Sequence, residues 1–86
     1  MRYVVIDEDL LLKAARAVHE AGKSAHAVNV RVGLGKIADD GGYFDVMVVA
    51  DDLEELESLG KLERAPAVGW SRSEPTPKTL IRYRPS

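Results

Sequence analysis

The chain contains no cysteine. Disulfides and thiolate-held metal clusters therefore cannot supplement its core. It also has no apolar run near the roughly 18 residues of a membrane-spanning helix. Its start, "MRYVVIDEDL", has four apolar residues in a row and then three acids. A secretory signal needs an apolar segment of about 7–15 residues. The expected product is a soluble, cytoplasmic protein without a membrane contact. Eighty-six residues are expected to form a single domain over 1–86. A chain of this size buries only about 60–65% of its unfolded surface, so its core is modest.

Motifs that would announce chemistry are missing as well. The stretch "VRVGLGKIADDGG" contains Gly35-Lys36. A phosphate loop of the form GxxxxGK[ST] would need glycine at position 30 and a hydroxyl at 37, where Val30 and Ile37 stand. Gly33, Gly35 and Ala38 fit the spacing of a dinucleotide fingerprint, but that motif must open a helix whose N-terminus holds the phosphates. Asp39, Asp40, Gly41 and Gly42 follow, which break a helix and repel phosphate. The glycines are expected to serve chain reversal. His19 and His26 have neither an HxxxH nor an HxH partner, so no metal site is expected. Asp39-Asp40-Gly41-Gly42 lacks the alternating ligand spacing of a calcium loop. Ser24, Ser58, Ser71, Ser73 and Ser86 lie in loops, helix ends or the tail, with no nucleophile elbow or triad. No catalytic residue, cofactor or enzymatic activity is expected.

The charges that are present are unevenly placed. Residues 1–60 hold twelve acids and six bases, net −6; residues 61–86 hold two acids and six bases, net +4. An acidic body with a basic tail can steer a charged partner.

The apolar pattern predicts a mixed α+β fold. "RYVVI" (2–6) reads as a central strand. Asp7 or Asp9 caps a helix that runs to about Ala21 and stops at Gly22. Its stripe is Leu10, Leu11, Ala14, Ala17, Val18 and Ala21. "AHAVNVRVGL" and "YFDVMVVA" alternate apolar and polar residues, which predicts two strands joined by a Gly/Asp hairpin loop. Asp51 and Glu54 look like the reciprocal caps of a second helix, with Leu53, Leu56 and Leu59 buried and Gly60 as its stop. An irregular, proline-containing segment over 61–78 leads to an edge strand at Leu80–Tyr83, and a small extra strand is placed near Ala67–Trp70. The order β-α-β-β-α-β is that of the split βαβ, ferredoxin-like plan: a four-stranded antiparallel sheet with two helices on one face.

On that plan one sheet face stays open. It would carry Tyr3, Arg31, Tyr43, Asp45, Met47 and Val49, with Arg31 and Asp45 paired across the hairpin. Tyr, Met and Arg are enriched at interfaces. An apolar sheet face on so small a domain needs a cover. The expected function is a small non-enzymatic protein-interaction module, such as a regulator, inhibitor or assembly subunit. It would act through the open face, the acidic helix with Asp52 and Glu55, and Trp70 of the tail, on a protein partner or a second copy of itself. Two alternatives are carried with it. One is single-stranded RNA or other nucleic acid, with bases stacked on Tyr3 and Tyr43 and phosphates met by Arg31, Arg82 and Arg84, which the net acidity and the missing aromatic motif disfavour. The other is a small-molecule or enzymatic site at a homodimer interface.

Overall fold

A computed structural model describes residues 6–37, 44–65 and 76–86 of the chain. Its elements are helix α1 (Glu8–Glu20), helix α2 (Ala27–Ile37), helix α3 (Val46–Ser58), strand β1 (Leu62–Arg64), a 3-10 turn at Lys78–Leu80 and strand β2 (Tyr83–Pro85). β1 and β2 pair antiparallel, with Leu62 opposite Pro85, Glu63 opposite Arg84 and Arg64 opposite Tyr83. Ala25 adds an isolated antiparallel bridge on the other side of Tyr83. Among the described residues the fold is thus three helices closed by a two-stranded ribbon, and the predicted four-stranded ferredoxin-like sheet is not formed.

The first helix matches its signals. The Asp7 carboxylate accepts the Leu10 amide at 3.0 Å, satisfying one of the free N–H groups of the first turn. Gly22, at φ +75°, ends it. The Gly22 amide donates to the His19 carbonyl and the Lys23 amide to the Val18 carbonyl, which is the left-handed glycine stop. α3 ends the same way: Gly60 is at φ +77°, and the Gly60 and Lys61 amides donate to the Glu57 and Leu56 carbonyls. The buried face of α1 is Leu11, Ala14, Ala15 and Val18. It is rotated slightly from the predicted stripe, so Ala17 and Ala21 are exposed.

Two of the expected strands are helices. Residues 25–34 alternate apolar and polar, but Ala27, Val30 and Leu34 are the buried set, while Val28 and Val32 face outward. Spacing of three and four residues is helical. The penalty of valine in a helix is small and β-propensity depends on context, so packing against α1 decides. Gly33 sits inside that contact: a Cβ on it would come within 3.4 Å of Val18 Cγ2 and 3.6 Å of the Ala14 carbonyl oxygen. These are ordinary van der Waals distances, so Gly33 lies in the contact between α1 and α2 and not in a turn. The segment 43–50 was expected as a strand with a new helix capped at Asp51. Instead Val46 to Ser58 form one helix, whose buried residues include Val49, Ala50, Leu53 and Leu56. Its cap is Asp45, whose carboxylate accepts the Met47 amide at 2.7 Å; Asp51 lies within it, and Leu59 is exposed. At the C-terminus the expected strand at Leu80–Tyr83 is displaced to Tyr83–Pro85. The expected strands at 2–6 and near Ala67–Trp70 fall, apart from Ile6, outside the described residues; Ile6 lies just before the α1 cap, not in a strand.

The core joins Ile6, Leu11, Val30, Leu34, Val49, Leu53 and Leu56 with the ribbon's Leu62 and Tyr83. Among the described residues, Asp52 of α3 is the buried charged side chain, 3% exposed. Its Oδ2 accepts the Ile6 amide at 2.8 Å. A buried donor left without its acceptor destabilises a protein by about 1–3 kcal/mol. Asp52→Ala is expected to lower unfolding free energy by about 1–3 kcal/mol in urea titration, and Asp52→Asn, which keeps an acceptor, by less. Equal stability of all three proteins would remove this bond from the account of the fold.

α2 starts at His26. Its carbonyl accepts the Val30 amide, and its Nδ1 accepts the Asn29 amide at 3.3 Å. Accepting requires Nδ1 to be unprotonated. Burial lowers the His26 pKa from its ordinary value, assisted by the charge of Arg82. The folded state therefore binds the proton less readily than the unfolded chain. This contribution to stability is complete above about pH 6.5 and is lost as pH falls through the lower folded value. The urea midpoint is expected to fall on acidification below about pH 6.5, and His26→Ser, a cap that does not titrate, should flatten that part of the profile. Superimposable profiles would show that His26 does not cap α2.

Candidate interaction surfaces

The residues expected on one open sheet face are dispersed by the helical fold. Tyr3, Tyr43 and Trp70 lie outside the described residues. Val49 is fully buried in α3, and Asp52 is the buried acceptor of Ile6. Asp45 is the α3 cap. Arg31 does not form the expected cross-strand pair. Its Nε donates to the Phe44 carbonyl, a contact that fastens α2 to the approach of α3. Met47 is 47% exposed at the start of α3. Glu55 is half-buried on the same helix.

Two outward surfaces result. On α2, Val28 and Val32 stand one turn apart and are 42% and 54% exposed. This helix carries Arg31 and Lys36 and no acid. The period of two through 28–34 places these valines inside, and the helical period turns them outward. On α3 the charged residues are Asp51, Asp52, Glu54, Glu55 and Glu57, with no base.

The basic tail folds back onto these acids. Lys78 Nζ reaches Asp51 and, at 3.6 Å, Glu54; its hydrogen bond to Asp51 raises its pKa above the usual lysine value. Arg64 donates to Glu57 at 2.9 Å and stacks over the Tyr83 ring at 6.0 Å. Lys61 pairs with Glu8 at 2.7 Å. Burial raises the Tyr83 hydroxyl pKa above the usual tyrosine value. The acidic helix is thus met within the chain by cations from the tail.

Among the described residues, no three or more His, Asp or Glu side chains are gathered so as to hold a metal ion. No described helix is long and apolar enough to cross a membrane. Comparison of the chain with family models, with curated proteins and with solved structures finds no match.

Proposed function

We propose that the chain is a non-enzymatic interaction module whose partner is a second copy of itself, paired through α2 and the start of α3. The observation that carries this is the outward row of Val28 and Val32, with Met47 on the next helix, all near half-exposed. Covering apolar surface contributes about 25 cal/mol per Å², and a row at helical spacing presents it as one ridge. Two-fold symmetry would repeat the contact, so each copy covers the ridge of the other.

Nucleic acid is the poorer fit. Single-strand binding relies on an aromatic stacking platform, yet Tyr83, the aromatic side chain of the described ribbon, is buried. Two consecutive helices can place the second in a DNA major groove. Here the second, α3, is the acidic helix, which phosphate repels.

Light scattering of the full chain is expected to give twice the 9.4 kDa chain mass. Val32→Asp combined with Met47→Asp should return the mass to one chain with the helical circular dichroism retained. A wild-type monomer at about 100 μM, weaker than most specific homodimers, overturns self-pairing. So does a double variant that remains dimeric.

A further inference from the structure

We propose that the cleft between the end of α1 and the outer face of β2 binds the phosphate group of a small phosphorylated molecule. The cleft has a volume of about 340 Å³. Lys23, just after α1, and Arg82 and Arg84 from the ribbon give its walls positive charge, and His19 at the end of α1 adds an imidazole. Among the described residues that line it, none carries a carboxylate.

Strand geometry builds this arrangement. Successive side chains alternate across a strand. Tyr83 turns into the core, so Arg82 and Arg84 share the opposite face. The backbone that carries them is held on both sides. The Tyr83 amide donates to the Ala25 carbonyl at 3.1 Å, and the Ala65 amide donates to the Arg82 carbonyl at 2.9 Å. Ser24 and Ala65 are the short neighbours, which leave room above the ribbon for a ligand. Glu63 engages Arg84 Nε at 2.8 Å from β1. That bond orients the guanidinium and leaves its other nitrogens as donors.

The chemistry selects phosphate. Guanidinium groups present forked donors that match phosphate oxygens, and an ammonium adds a point charge. A volume near the lower end of the roughly 300–1,000 Å³ of ligand pockets suits a small phosphorylated molecule better than a bare ion. The site shares no residue with the outward row of α2 and stands independently of self-pairing.

The test is amide chemical-shift titration of the full chain with inorganic pyrophosphate. Saturable shifts are expected at Lys23, Ser24, Ala65 and Arg84, with Val28 and Val32 unmoved. Lys23→Glu, an exposed change, should weaken binding on the order of tenfold, and Arg82→Gln should do the same by a second route. Shifts without saturation up to about 10 mM overturn the site. Equal affinity in both variants does so too. Citrate binding as tightly as pyrophosphate would overturn the assignment to phosphate. A short single-stranded oligonucleotide binding more tightly than pyrophosphate would overturn the small-molecule assignment in favour of a polynucleotide backbone.

Discussion

A buried carboxylate on α3 ties that helix to the segment that leads into α1. Asp52 lies on the inward face of α3 among Val49, Leu53 and Leu56, and it receives the Ile6 amide from 46 residues earlier in the chain. Burying a charge is tolerated only when hydrogen bonds replace its water. Any rotation of α3 that carried Asp52 away from Ile6 would break this bond and strand the Ile6 amide. The surrounding leucines and valines would accept several rotations at similar energy, because dispersion and hydrophobic contact are not directional. The carboxylate removes that freedom. With α3 fixed, Leu56 and its glycine stop aim the chain into β1, and the ribbon follows.

Around that point the core is built from small residues. Ala14 and Ala15 on α1, Ala27 on α2 and Ala50 on α3 let the helices approach closely. Close approach increases packing density but leaves limited apolar area to bury in a chain of this length. The outward valines of α2 follow from the same economy. A helix whose inward face is Ala27, Val30 and Leu34 leaves Val28 and Val32 about half exposed.

What the sequence made legible was the ends of elements. Asp7 and Gly22 bracket α1, and Gly60 stops α3, because caps and left-handed glycines act through local hydrogen bonds that need no tertiary partner. The interiors of α2 and α3 were not legible. Positions 28, 30, 32 and 34 satisfy a period of two, while 27, 30 and 34 satisfy a helical one, so Val30 and Leu34 support both. Only burial against α1 separates the two. Asp45 and Asp51 both offer a capping carboxylate, and Asp51 has Glu54 three residues on while Asp45 has Val48, so the local capping pattern favours the later start and a helix half as long. Arg31, expected opposite Asp45 across a hairpin, instead reaches the Phe44 carbonyl from α2. Arg82 and Arg84 are legible in the sequence as phosphate contacts, but the cleft is not. It unites His19 and Lys23 with Arg82 and Arg84 through β2 lying beside Ala25, a pairing that no local pattern encodes.

The charge asymmetry along the chain acquires a different meaning once folded. Twelve acids before residue 61 and six bases after it suggested an outside partner. Much of that contrast is met internally: Lys61 on Glu8, Arg64 on Glu57, and Lys78 on Asp51 and Glu54. Exposed pairs of this kind are each worth about 0–1 kcal/mol and are screened by salt, so they guide the tail onto the helices more than they hold it there. The holding falls to Leu62, Tyr83 and the ribbon's backbone bonds, which do not depend on ionic strength. Tail and body are therefore matched in two ways, by charge for direction and by burial for strength. Once the inward side of β2 is committed to Tyr83 and the core, alternation along the strand directs Arg82 and Arg84 outward together. The cationic cleft is in that sense a by-product of how the tail docks.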